Sequence, residues 1–160
     1  MKVDFTLNGK PVSPDVDPDE KLLDTLRNRL RVLSPKRGCE NGDCGACTVL
    51  LDGAPIDSCL CLTAKVRGRS VQTIEAFCSG DSLHPLQEAL RETGAYQCGF
   101  CAPGATLSAL ALLERCPDPT DDQIVEALTG NLCRCTGYVQ IIEGIKKYVR
   151  DSKTREEEQA

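Results

Sequence analysis

At 160 residues, with 24 acidic against 19 basic side chains and a net charge of −5, the chain lacks the basic, aromatic-laced surface that nucleic acid or an anionic membrane would require; neither is expected as a partner. No apolar run approaches the roughly 20 residues that cross a bilayer, so no membrane span is expected. Aromatics amount to 4% and Trp is absent while Cys numbers 11, and small units with such thin hydrophobic cores need a metal or a covalent staple. The cysteine count is odd, and Met1 to Phe5 runs straight into a strand pattern without a signal peptide, which points to a cytoplasmic metal protein rather than a secreted disulfide framework.

Val3, Phe5 and Leu7 alternate with polar neighbours, Asn8-Gly9 follows, and Val12 and Val16 lie beyond: a hairpin with an Asn-Gly turn and Pro11 on an edge strand. Asp17-Pro18-Asp19-Glu20 supplies an N-cap Asp, a first-position Pro and a third-position Glu. Leu22, Leu23, Leu26, Leu30 and Leu33 then recur at helical spacing, so a helix is predicted over 18–31.

The next stretch, Gly38 to Cys59, organises the first half. Cys39, Cys44, Cys47 and Cys59 follow the spacing C-x4-C-x2-C with a fourth Cys after eleven more residues, the arrangement that holds a 2Fe-2S cluster in plant-type ferredoxins. Structural zinc sites also use four thiolates but gather them as two knuckles, and a Rieske centre needs two histidines where this chain has only His84. Gly38, Gly42 and Gly45 allow a loop to turn its amides toward sulfur, and Lys36 and Arg37 are expected to oppose the negative charge of the site. Two further strands, 48–51 and 54–58, flank an Asp52-Gly53 turn, and 70–74 closes the set. Strands, one helix packed across them and a cysteine loop describe a small mixed sheet gripping a helix, which resembles the beta-grasp fold of plant-type ferredoxins over residues 1–76.

Residues 77–82 are a polar break. Helical periods then take over: Leu83, Leu86 and Leu90; Leu107, Leu110, Ala111 and Leu113 after Pro103; Ile124, Val125 and Leu128 after a capping box at Thr120 to Gln123, ended by Gly130; and Ile141, Ile142, Ile145 and Val149. The fold class is thus α+β, a beta-grasp domain followed by an all-helical four-helix bundle over 83–150, with a charged disordered tail over 151–160. Cys98 and Cys101 form a C-x2-C, and Cys133 and Cys135 a C-x-C, in turns that antiparallel helices bring to one place. Zinc is a rival on this spacing. A thioredoxin-like reading of Cys-Gly-Phe-Cys lacks its βαβ context and leaves Cys133 and Cys135 unexplained.

Arg37-Gly38-Cys39, Cys44 to Gly53, Ser58-Cys59, Leu83-His84-Pro85-Leu86-Gln87, Gln97 to Gly104 and Gly130 to Tyr138, taken together and in order, resemble the iron-sulfur subunit of the molybdenum hydroxylases, the xanthine oxidase family. The resemblance covers residues 3 to 149. It implies that Cys39, Cys44, Cys47 and Cys59 bind one 2Fe-2S cluster and Cys98, Cys101, Cys133 and Cys135 a second. It also implies that Gln97 and the surroundings of Cys135 touch the molybdopterin of a large partner subunit, that FAD lies on another partner, and that the complex is a dimer of heterotrimers. The chain would relay single electrons between the molybdenum centre and FAD or another acceptor, without substrate chemistry or a catalytic residue of its own. A zinc-stapled structural adaptor and a free-standing two-cluster ferredoxin are the alternatives. Cys61, Cys78 and Cys116 read as small, partly buried apolar residues. Alternation along a strand would put Cys61 on the same face as Cys59, and Cys59 is the expected ligand. His84 is given no chemistry.

Overall fold

The computed structural model describes residues 1–78, 80 and 82–159, together with all their side chains except those of Glu156, Glu158 and Gln159. Ser79 and Asp81, which belong to the predicted break, and Ala160 lie outside the described residues. The molecule is mixed α/β. Strands β1 (Phe5–Leu7), β2 (Lys10–Val12), β3 (Thr48–Leu51), β4 (Ala54–Asp57) and β5 (Ser70–Gln72) form one sheet in the order β2-β1-β5-β3-β4, with β1 and β5 parallel and the other pairs antiparallel.

Both hairpins turn on two residues of positive φ, Asn8 (50°) with Gly9 (78°) and Asp52 (50°) with Gly53 (82°). That turn carries the right-handed twist of the flanking strands, which is why these dipeptides set the registers Phe5 with Val12 and Thr48 with Asp57. The edge strands each hold a proline, Pro11 in β2 and Pro55 in β4, as residues lacking an amide donor must be placed.

All four residues of β3 are buried, because the strand is covered on both sides. Val49 and Leu51 join Val3, Phe5, Leu7, Val16, Leu22, Leu26, Val66 and Val71, while Leu50 points the other way into a core built from the helices. β3 therefore belongs to both halves of the chain.

Helix α1 departs from expectation. It starts at Leu22 rather than 18, runs as α-helix only to Asp24, and continues as a π-helix over Thr25–Arg29. The predicted first helical turn is instead a single β-turn closed by Glu20 N to Asp17 O. Two causes are visible. The amides of Leu22 and Leu23 donate to Cys61 O and Ser58 O, so the helix begins by pairing with the chain around Cys59. The Glu20 carboxylate accepts from Asp17 N (3.4 Å), as in the expected cap, but lies closer to Arg29 Nε (2.7 Å) and Thr25 Oγ1 (2.7 Å). Arg31, at φ 59°, closes the element and leaves Leu33 exposed outside it.

The second half contains α2 (Pro85–Glu92), α3 (Ala102–Arg115), α4 (Asp121–Leu128) and α5 (Val139–Gln159). His84 caps α2: its Nδ1 accepts from Leu86 N at 3.1 Å while Gln87 Oε1 accepts from His84 N at 2.9 Å, a capping box closed by a histidine. Thr120 and Gln123 form the expected box on α4. Every residue of α3 from Gly104 to Leu113 is buried, so this helix is the axis of the half and also rests against β3 and β4. α5 crosses α2 at Gly144, where a Cβ would stand 3.0 Å from Leu90 Cα. The predicted disordered tail from 151 is corrected, since α5 stays helical through Gln159. Lys147 pairs with Asp151 one turn on (2.8 Å) and Lys153 reaches Asp118 (2.8 Å), so charge pairing stands in for the missing apolar face. No described helix is long and apolar enough to cross a membrane.

Gly104, in the first turns of α3, has the carbonyl of Gly45 where a side chain would go: a Cβ would lie 2.3 Å from Gly45 O. Helix propensity alone favours Gly104→Ala by about 1 kcal/mol. We expect the opposite, a loss of about 1–3 kcal/mol measured by urea denaturation, because the neighbour is backbone and cannot turn away. A second expectation concerns acid. Arg29, with Thr25 and the Asp17 amide, holds the Glu20 carboxyl down to about 2 from its ordinary 4.5. The ionised form is thus the one the fold prefers, so its stabilisation is complete above pH 4.5 and fades as pH falls toward 2. Glu20→Gln should be less stable than wild type at neutral pH, and the gap between their denaturation midpoints should close over that acid range.

Candidate metal centres

The loop from Gly38 to Cys47 turns its backbone inward. Glu40, Gly42 and Gly45 all adopt positive φ (60°, 88° and 63°), and Glu40 does so without the freedom of glycine. Amides then face sulfur: Asp43 N and Cys44 N each donate to Cys39 Sγ at 3.3 Å, and Cys39 N donates to Cys44 Sγ at 3.4 Å. The Asn41 amide is foremost in holding the Cys39 thiol down to about 7, aided by the amides of Cys44 and Asp43. A Cβ at Gly38 would stand 2.7 Å from Cys44 Sγ, so the cradle around that sulfur depends on the missing side chain.

Lys36 and Arg37 do not oppose the site's charge as expected. Lys36 Nζ donates to Leu33 O, and the Arg37 guanidinium is engaged by Asp24 and Glu40. Backbone dipoles, not cations, therefore face the sulfurs of Cys39 and Cys44.

Cys47 and Cys59 are 2% and 1% exposed and pack against Leu23 of α1. Burial pushes the Cys47 thiol up to about 12, with the adjacent Cys59 thiol adding to the effect. Asp57, itself raised chiefly by burial, accepts from Cys47 Sγ at 3.6 Å. The alternation argument for Cys61 fails, since residues 57–60 form a turn closed by Leu60 N to Asp57 O (3.0 Å) rather than a strand. Cys61 turns away, its thiol toward Leu62 O (3.5 Å) and its flank against the sheet core.

The second set occupies the α2–α3 and α4–α5 connections. Cys98 and Cys135 are exposed, Cys101 is half-buried and Cys133 is buried. Burial pushes Cys101 up to about 12, with the Cys133 thiol beside it. Cys135 is raised first by its contact with the Cys98 thiol. Burial also opposes ionisation of Cys133, but the Thr136 hydroxyl at 3.2 Å, the Thr136 and Cys135 amides and the Cys101 thiol outweigh it and bring the net shift down. Tyr138, at φ 69°, bends the chain so that its hydroxyl accepts from Cys133 N at 3.1 Å. Gln97 lies exposed beside Cys98 at the rim of this set. Thr136 and Tyr138 are supporting residues that spacing does not single out. The sequence hint was their place in the Gly130 to Tyr138 motif, with Gly137 between them.

The eight thiols come as two sets of four, within which Cys39 neighbours Cys44, Cys47 neighbours Cys59, Cys98 neighbours Cys135 and Cys101 neighbours Cys133, the last two pairs also lying within reach of each other. Among the described residues, no three His, Cys, Asp or Glu side chains converge on a single point. Two thiolates for each of two irons is the donor set of a binuclear cluster, whereas a structural zinc gathers all four at one ion. The residues fit the former.

Comparison with known proteins agrees with this division. Residues 5–79 match the family model of the 2Fe-2S iron-sulfur cluster binding domain, and residues 73–146 match that of the [2Fe-2S] binding domain. The nicotine 6-hydroxylase small subunit of Paenarthrobacter nicotinovorans is 49% identical over 145 residues, covering 91% of this chain and 87% of that protein. The nicotinate dehydrogenase small FeS subunit of Eubacterium barkeri is 42% identical over 146 residues, 91% of this chain and 93% of that one. Among solved structures, a chain of quinoline 2-oxidoreductase from Pseudomonas putida 86 superposes with a TM-score of 0.91 at 42% identity, over 97% of this chain and 96% of that chain. With two cluster-binding domains in sequence and relatives of this identity along nearly its whole length, the chain belongs to the iron-sulfur small subunits of the molybdenum hydroxylase (xanthine oxidase/dehydrogenase) family and is an oxidoreductase subunit.

Proposed function

We propose that this chain is the electron-transfer subunit of a molybdenum hydroxylase, relaying single electrons between a molybdopterin centre and FAD, or another acceptor, on partner chains. The observation that carries the reading is the pairing of eight thiols into two sets of four. Cys39, Cys44, Cys47 and Cys59 hold one 2Fe-2S cluster, and Cys98, Cys101, Cys133 and Cys135 hold the other. Each cluster, when bound, takes up one electron at a time, so two of them split the pair that a hydroxylation releases.

The chain's own residues set the terms. Amides of Cys39, Asp43 and Cys44 donate to sulfur and so favour added negative charge there. Cys47 and Cys59, sealed beneath Leu23, keep water from one side of the first set. Cys98 and Cys135 reach the surface beside Gln97, where a partner's cofactor can approach. Gln97 and the surroundings of Cys135 are assigned to the molybdopterin contact with the large subunit.

The arrangement is read as a beta-grasp domain over 1–76 and a four-helix 2Fe-2S domain over 83–150, joined through 77–82. The partners are a large molybdopterin subunit and an FAD subunit, in a dimer of heterotrimers. Eleven free thiols suit a cytoplasmic location. Relatives whose names specify nicotine, nicotinate and quinoline put N-heteroaromatic compounds first in a substrate screen of the complex.

Purified protein should be brown, bleach with dithionite, and contain about four irons and four sulfides per chain. A colourless protein carrying zinc would establish the stapled adaptor instead, and purification without larger chains the free-standing ferredoxin. Within the first set, Cys59→Ser should lose about half the iron while Cys61→Ser retains all of it, by metal analysis. Full iron in Cys59→Ser would move the fourth ligand elsewhere. Because metal binding to such sites is also folding energy, chelation should abolish cooperative unfolding of the helical half, read by circular dichroism.

A further inference from the structure

Asn131 is a polar side chain where the two halves meet, only 4% exposed, and its amide is fully committed. Nδ2 donates to Gly45 O and to Thr48 Oγ1, both at 3.1 Å, while Oδ1 accepts from Ser108 Oγ at 2.7 Å. The donors and acceptors permit one orientation only. Thr48 Oγ1 spends its own proton on Gly45 O (2.7 Å), so it must accept from Asn131, and the Ser108 hydroxyl then identifies the opposite atom as oxygen.

Asn131 and its three partners come from four places: Gly45 between Cys44 and Cys47, Thr48 on β3, Ser108 on α3, and Asn131 two residues before Cys133. Next to them, Leu132 N donates to Cys44 O at 2.9 Å. Segments bearing one thiol set are thereby bound directly to segments bearing the other. The space is closed as well, since a Cβ on Gly45 would lie 2.0 Å from Gly130 O and 2.5 Å from Asn131 Nδ2.

We propose that Asn131 is a positioning residue for the relay: its three hydrogen bonds fix the separation and orientation of the two thiol sets, and hence of the clusters they hold. The proposal rests on the reading of two clusters given above. Electron passage between centres falls steeply with distance, so a device that removes play between the loops acts on the rate without touching a cluster. Burial alone does not account for the residue. An apolar side chain would leave the Ser108 hydroxyl without its acceptor and take one donor each from Thr48 Oγ1 and Gly45 O, and an aspartate of the same shape would set an acceptor against Gly45 O.

The test uses the cluster-loaded protein in its purified complex, fully reduced with dithionite, and pulsed electron paramagnetic resonance to obtain the distance distribution between the two reduced centres. Wild type should give one narrow distribution. Asn131→Ala should broaden or displace it. Ser108→Ala, which keeps the bonds to Gly45 and Thr48 but removes the donor that orients the amide, should do so to a smaller degree. A residue that only adds stability would lower the unfolding midpoint and leave the distance unchanged, and that result, or a broad wild-type distribution, overturns the proposal. If Asn131→Ala does not assemble, Ser108→Ala decides alone. Fewer than two paramagnetic centres in wild type would instead sink the two-cluster reading on which the proposal stands.

Discussion

The carbonyl of Gly45 accepts from three donors at once. It receives Thr48 N, Thr48 Oγ1 and Asn131 Nδ2, and the positions of Gly45 and Gly104 leave no room for a side chain beside it. Because the contact is backbone against backbone, it cannot be relaxed by turning a rotamer, and packed interiors transmit such constraints rather than absorb them. The cysteine loop of the sheet half and the axial helix of the other half are therefore pressed together at their closest point. β3 extends the same union, sending Val49 and Leu51 into one core and Leu50 into the other. The two family models divide the chain, but the packing does not.

The two thiol sets differ in how they meet solvent, and the difference follows from their supports. The first is a tight loop on a hairpin, backed by Leu23 of α1, so its inner pair is sealed while Cys39 stays at the surface. The second is assembled from two interhelical connections. Its outer pair, Cys98 and Cys135, remains open beside Gln97, and its inner pair, Cys101 and Cys133, rests on the helical core. In both, amides or hydroxyls rather than cations are aimed at sulfur. Fixed dipoles of this kind favour negative charge on sulfur without needing to move.

Much of this was legible in the sequence where one residue type has one local use. Asn8-Gly9 and Asp52-Gly53 announced their turns, Thr120 with Gln123 announced a helix start, and the cysteine spacings announced two sets. What was not legible depended on competition between distant groups. Asp17 to Glu20 has the form of a cap and Asp17 N does reach Glu20, yet Arg29 shares that carboxylate and the amides of Leu22 and Leu23 are taken by carbonyls some forty residues away, so the helix begins late. Lys36 and Arg37 were expected beside the cysteines because they are adjacent in sequence, but Asp24 and Glu40 lay within reach of the guanidinium. Cys61 shared the parity of Cys59, and parity has meaning only in an extended strand. Asn131 lay in a motif but its role did not show, because a satisfied buried amide and a solvated turn residue look alike in one dimension.

The sheet has two borders, and each is interrupted by a proline, Pro11 at one side and Pro55 at the other. A border strand with its full set of outward amides invites another chain to add a strand, which is the usual first step of sheet-to-sheet aggregation. Here that zipper is missing a tooth at both ends. A small subunit of a family built into larger enzymes is by this means denied the least selective kind of contact.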